Sequence, residues 1–193
     1  YSNGGIMSPN QLVEDAKTKL ATAVNHFNDE IKKLRTGRAH PSMLDGITVL
    51  AYGTPMPLNQ VSNVTAPEAQ QLQITPFDPS NIQAISDAIR NDQSLGLNPA
   101  DDGRVVRISI PPLTTERRQQ IVKQLNEKTE ETHIACRNIR HEALDSAKQA
   151  KADKDISEDD YTRIEKQIED LMTKTKQDIE TATKAKEQEI MTV

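Results

Sequence analysis

The sequence predicts an α+β protein, in which an elongated three-helix bundle accepts a small α/β domain (β/α/β) between its first and second helices. Three observations carry that expectation. Apolar residues recur every three or four positions over 8–34, over 114–152 and again from Ser157 onward, which is the spacing of one buried helix face. Every proline except Pro9 falls within 36–112, a stretch that contains no lysine. The same stretch holds short runs of β-type residues parted by turn residues, the texture of a small mixed domain.

The first helix is read over Ser8–Leu34. Val13, Ala16, Leu20, Val24, Phe27, Ile31 and Leu34 line up on one side. Ser8 and Pro9 suit the N-cap and first helical position, with Gln11 placed to close a capping box, and Gly37 and Pro41 end the segment. Within the insert, strands are expected at Ile47–Tyr52, Leu58–Val64, Leu72–Thr75 and Val105–Ile110, with turns at Tyr52-Gly53-Thr54-Pro55 and Asp101-Asp102-Gly103. A short helix is expected over Ser80–Asn91, presenting Ile82, Ile85 and Ile89 together. A long helix follows over Thr114–Ala152, with Ile121, Leu125, Thr132, Ala135, Ile139 and Ala143 inward. The last begins after Ser157, where Ser157-Glu158-Asp159-Asp160 is an N-cap followed by first-turn carboxylates; its stripe is Tyr161, Ile164, Ile168, Leu171, Thr175, Ile179 and Ala182.

None of these long helices can bury its stripe alone, so they are expected to pack on one another as rods of roughly 40 to 60 Å. The expected domains are 7–35 plus 113–193 for the bundle and 36–112 for the insert. The links at 35–38 and 110–113 then act as hinges. Arg35, Thr36, Gly37 and Arg38 form one link, bendable at Gly37; Pro111 and Pro112 stiffen the other. A single rigidly packed unit is the alternative to this articulated arrangement. Tyr1–Ile6 carry no charge and precede Met7, which is read as the native start.

Composition and motifs exclude several classes. No apolar run reaches the ~18 residues of a membrane span, and no secretory leader opens the chain, so a soluble protein is expected. The single cysteine, Cys136, leaves no internal disulfide and fits a reducing compartment. There is no Trp, and Tyr and Phe together number five, too few for an aromatic stacking platform. No phosphate-binding Gly-Lys-Ser loop, dinucleotide turn or nucleophile elbow is present, so no catalytic residue, cofactor or enzymatic activity is expected. His133 and Cys136 share a helix face but would need carboxylates to complete a metal site, and no metal is expected.

One constellation stands out. At about 100° per residue with His133 at zero, Arg137 falls near 40°, Arg140 near −20°, His141 near 80°, Lys148 near 60° and Lys151 near 0°. These six form a basic stripe along 133–151 that the helical geometry turns away from Thr132, Ala135, Ile139 and Ala143. No acidic residue lies four positions from Arg137 or Arg140, so the arginines are expected to be available to phosphates. The net charge of −5 opposes nucleic-acid binding only on average. The segment 38–112 has four basic and seven acidic residues, so the helices carry the remaining −2 and one local basic face.

From Met7 onward the sequence also resembles bacterial-type ribosome recycling factor. The resemblance rests on Lys33-Leu34-Arg35-Thr36-Gly37-Arg38-Ala39 with Pro41, Leu44-Asp45-Gly46-Ile47, Tyr52-Gly53-Thr54-Pro55 and Leu95-Gly96-Leu97-Asn98-Pro99. It continues through Pro111-Pro112-Leu113-Thr114 with Glu116-Arg117-Arg118, Arg137-Asn138-Ile139-Arg140 and Ile156-Ser157-Glu158-Asp159-Asp160. The resemblance implies a two-domain L shape like that of transfer RNA, and a factor in protein biosynthesis that binds the large ribosomal subunit (23S-type rRNA) after translation termination. With elongation factor G and GTP, such a factor splits the ribosome from messenger and deacylated tRNA, the GTP being hydrolysed by the partner. It implies rRNA contacts on the bundle at Arg137 and Arg140, to which the stripe adds His133, His141, Lys148 and Lys151; Arg117 and Arg118 are further candidates. A monomer in the cytoplasm is expected, with an organellar matrix as the alternative. Two departures stand out. His141 replaces a usual basic residue, so phosphate binding there would weaken as rising pH discharges the imidazole. Thr115 replaces a usual glutamate in the first turn of its helix. The competing reading is a helical scaffold whose basic stripe meets acidic protein partners; a hydrolase with an unrecognised site is a third.

Overall fold

In the computed structural model, residues 8–192 are described, and the reading of Met7 as a start lies outside them. The described chain divides into two compact units. One comprises the residues up to Thr36 together with Thr115–Thr192, and the other is Gly37–Thr114.

The first unit is three helices: α1 (Pro9–Lys32), α4 (Thr115–Ala152) and α5 (Glu158–Met191), each packed on the other two. At 1.5 Å per residue α4 is about 57 Å long. α1 starts as its sequence requires. The Ser8 hydroxyl accepts from Gln11 N at 3.2 Å, and Gln11 Oε1 accepts from Ser8 N at 2.8 Å. α5 repeats the device with Ser157 and Asp160, at 3.0 and 3.1 Å. The Ser157 backbone N–H and hydroxyl hold the Asp160 carboxylate below its usual range. The core runs along Ala16, Leu20, Phe27 and Ile31 of α1, Ile121 and Leu125 of α4, and Ile164, Ile168 and Ile179 of α5.

Two inward assignments move. Leu12 is buried beside Ala147, Ile156, Ile164 and Ile168, and Val13 is only half-buried against them. On α4, Cys136 is buried and Ala135 is exposed. The seam of α4 runs through Thr132, Cys136 and Ala147, so its centre lies about 40° from the position expected. A small thiol fits there, and burial pushes its pKa up.

The second unit contains β1 (Thr48–Ala51), β2 (Thr54–Pro57), a helical turn α2 (Leu58–Val61), β3 (Ser62–Glu68), β4 (Gln71–Pro76), α3 (Ile82–Asn91), β5 (Pro99–Asp101) and β6 (Val106–Ser109). β1 and β2 form a hairpin, and an antiparallel sheet runs in the order β3-β4-β6-β5. The hairpin turns on Tyr52 (φ 54°) and Gly53 (φ 75°), the paired positive angles of a two-residue turn matched to strand twist. On the sheet, Leu72 faces Ile108 and Ile74 faces Val106, all fully buried. Ile85 and Ile89 of α3 complete the same core, which also takes in Val49 and Ala51 of β1.

The structure corrects the first half of the strand expected over 58–64: residues 58–61 are the turn α2, and 62–64 belong to β3. Leu58 and Val61 are both buried and stand three apart, so a helical turn satisfies them where an alternating strand would expose one. The Ser62 hydroxyl donates to Leu58 O at 2.8 Å and closes that turn. β2 is not among the expected strands, and Thr54 and Pro55, expected in the turn, are its first two residues; it contains Pro55 and Pro57. Their spacing of two puts both missing donors on one edge, and β2 pairs only with β1. β5 is a three-residue strand, too short to show a period.

Core truncation is expected to be costly. Leu125→Ala should destabilise the bundle by about 2–5 kcal/mol, and Ser157→Ala by about 1 kcal/mol. Urea unfolding followed by circular dichroism measures both.

Candidate nucleic-acid interface

α4 positions the basic residues, and its seam decides which way they point. The buried positions Arg118, Ile121, Leu125, Thr132, Cys136 and Ala147 centre near 285° on the scale that sets His133 at zero. The basic arc centres near 30°, so it lies about 105° from the core, on one shoulder of the helix, and does not point directly away from it as expected. His133, Arg140 and Lys151 are consequently half-buried, while Arg137, His141 and Lys148 are exposed.

The arginines have carboxylate partners. Arg137 Nη2 lies 2.7 Å from Glu130 Oε1, and Arg140 Nε donates to Glu169 Oε1 of α5 at 2.6 Å. His141 Nε2 lies 3.3 Å from Asp145 Oδ2. The expectation that no acid reaches the two arginines is therefore corrected. Glu130 is seven residues from Arg137, two helical turns, so the same helix arithmetic puts it near 60° within the basic arc. Glu169 comes from a neighbouring helix, where spacing along α4 gives no signal. Lys151 Nζ stands 4.3 Å from the centroid of the Tyr161 ring, a cation–π contact that joins α4 to the first turns of α5. Lys148 is exposed and forms no ion pair among the described residues.

Arg117 and Arg118 have different fates. Arg117 is exposed, with Nη1 donating to Gln120 Oε1 at 3.1 Å. Arg118 is only 7% exposed, and its Nη1 donates to the carbonyls of Ile190 and, at 2.9 Å, Thr192. As a candidate RNA contact Arg118 is therefore corrected: it closes the C-terminal end of α5, where the last carbonyls lack helical partners. It stands three residues before Ile121 and seven before Leu125, so its inward direction follows from the helical period.

The hinge candidates fall at the boundaries of the two units. Gly37 has φ 84°, a value that favours glycine, while Arg35, Arg38, Pro111 and Pro112 are exposed and Thr36 half-buried. The chain enters and leaves the small unit at adjacent points. Ala39 N donates to Ala69 O at 2.6 Å and Ile110 N to Gln70 O at 2.8 Å, consecutive residues of the β3–β4 turn.

Among the described residues no three His, Cys, Asp or Glu side chains gather as metal ligands, and no helix is long and apolar enough to cross a membrane. The architecture defines the class: an α+β protein built on a three-helix bundle with an inserted α/β unit. The Ribosome recycling factor family matches residues 27–191. The ribosome-recycling factor of Cutibacterium acnes is 42% identical over 182 residues, covering 94% of this chain and 98% of that one. That of Halalkalibacterium halodurans is 43% identical over 183 residues, covering 95% and 98%. The solution structure of a ribosome recycling factor superposes with a TM-score of 0.75 at 35% identity, covering 98% of this chain and all of that one. A second structure gives 0.62 at 36% identity and covers 96% of this chain; it comes from models for the T. thermophilus ribosome recycling factor and the E. coli elongation factor G bound to the E. coli post-termination complex. The chain belongs to the ribosome recycling factor family.

The buried guanidinium predicts a stability phenotype without a binding phenotype. Arg118→Met should lower stability by on the order of 2 kcal/mol through the orphaned carbonyls. Retention on a heparin column, run below the lowered melting temperature, should stay at the parent's value.

Proposed function

We propose that this chain recycles ribosomes. It binds the large ribosomal subunit through rRNA after termination and, with elongation factor G and GTP, separates the ribosome from messenger and deacylated tRNA. It acts as a monomer in the cytoplasm and catalyses nothing itself; the GTP is hydrolysed by the partner. The observation that carries this reading is similarity over 94% or more of the chain and 98% of relatives bearing that name. A structural neighbour at 36% identity, in a post-termination complex with elongation factor G, supports the choice of partners.

The basic shoulder of α4 is the anchor. Arg137 and Arg140 bind phosphate through paired donors, with His133, His141, Lys148 and Lys151 along the same arc and Arg117 nearer the start of the helix. The bundle (7–35 plus 113–193) holds this surface stiffly because three helices share its core. The small domain (36–112) moves as a body on two links, 35–38 and 110–113. Gly37 supports bending, and Pro111-Pro112 restricts it. The chain next to the two links, at Ala39 and Ile110, is held by the consecutive residues Ala69 and Gln70 of the small unit, so both links leave that unit side by side. Held at the RNA and pushed at the insert, the protein works as a lever.

Arg137→Ala with Arg140→Ala should weaken co-sedimentation with large subunits and make the log–log salt slope shallower by roughly 1.5, the loss of two phosphate contacts. Unchanged affinity and slope would overturn the anchor. Cross-linking the small domain to the bundle should preserve binding and abolish splitting, measured by light scattering; full splitting by the cross-linked protein would rule out the lever.

A further inference from the structure

Both arginines of the Arg137–Arg140 pair end on a carboxylate. Glu130 Oε1 sits 2.7 Å from Arg137 Nη2, and Glu169 Oε1 accepts from Arg140 Nε at 2.6 Å. These are the donors a phosphate oxygen would take, and a carboxylate oxygen is the closest protein counterpart of one. The carboxylates come from different places, one two turns back on α4 and one on α5, yet each engages a single arginine. Both pairs are open to water, with side chains between 42% and 61% exposed. Exposed pairs are weak, so each carboxylate reduces the availability of its arginine by at most about fivefold. A run of phosphates can displace them, whereas stray anions compete poorly.

We propose that Glu130 and Glu169 are affinity-setting residues of this surface. In the free protein they occupy Arg137 and Arg140, and RNA binds by exchanging each carboxylate for a phosphate. The proposal rests on the rRNA-binding reading above. Lys148, which has no such partner among the described residues, remains open for first contact. The exchange holds affinity below what six basic groups could supply, which suits a factor that must leave the ribosome after every round. Raised salt weakens the intramolecular pairs as well as the RNA contacts, because exposed charges are screened within a Debye length of ~8 Å at physiological strength. The restraint is therefore greatest at low salt.

The test is binding of large ribosomal subunits by the parent, the Glu130→Gln/Glu169→Gln double variant, and Glu187→Gln as a carboxylate of α5 outside the two pairs, each over a series of salt concentrations. Glutamine still accepts a hydrogen bond, so the arginines keep a neutral partner and unfolding midpoints should match the parent. The double variant should bind about three- to tenfold more tightly at low salt, converge on the parent as salt rises, and so show a steeper salt slope. An equal gain per charge in Glu187→Gln would reduce the effect to net charge and overturn the proposal. Weaker binding by the double variant would also overturn it, since the carboxylates would then be orienting the arginines. Arg137→Ala/Arg140→Ala measured alongside separates two failures. If it binds as the parent does, the interface reading fails and the exchange with it. If it binds weakly while the glutamine variant matches the parent, only the exchange fails.

Discussion

The bundle depends on the way α4 divides one buried face between α1 and α5. Most of the stability of a 38-residue amphipathic helix such as α4 comes from packing its apolar face on neighbours. α4 persists because Ile121 and Leu125, with Thr132, Cys136 and Ala147 further along, are taken out of solvent by two neighbours at once. That seam sets the rotation of the helix about its axis. Once the rotation is set, every other side chain on α4 has its direction: Arg118 inward, Arg137 and Lys148 to water, Arg140 and Lys151 onto the flank where α5 lies.

The flank has chemical consequences. A basic residue pointing straight away from a bundle meets only water and the acids of its own helix. One that sits on the shoulder also meets the adjacent helix, which is how Arg140 reaches Glu169 and Lys151 reaches Tyr161. The basic arc is therefore interleaved with acidic and aromatic groups, and its strength as an anion site is a difference between competing contacts. The overall charge of −5 is compatible with such a surface because its cations are concentrated on one shoulder.

The small unit follows a separate logic. Its core is a β-sheet face covered by α3 and the β1–β2 hairpin, and it needs nothing from the bundle to bury Leu72, Ile74, Val106 and Ile108. Entry and exit both hydrogen-bond to the β3–β4 turn, which closes the unit at one point. An insertion with its own core and adjacent ends can be carried by a long helical protein without disturbing the helices on either side.

Much of this was written in local chemistry. The three long helices, both capping boxes, the Tyr52-Gly53 turn, the inserted domain and the family motifs depend on residues within a few positions of one another, so they can be read along the chain. The inward course of Arg118 and the place of Glu130 in the basic arc were legible too, from the helical period alone. What only the tertiary structure decided involves partners remote in sequence. The helical turn at Leu58–Val61 exists because one core wants both side chains. β5 is a strand because β6 lies beside it. Cys136 is buried and Ala135 exposed because packing against α1 and α5 sets the rotation of α4 about its axis. Glu169 became the partner of Arg140 through helix packing, twenty-nine residues away along the chain. Local order follows from backbone geometry and short-range hydrogen bonds, whereas the rotation of a helix and the company its charges keep follow from packing.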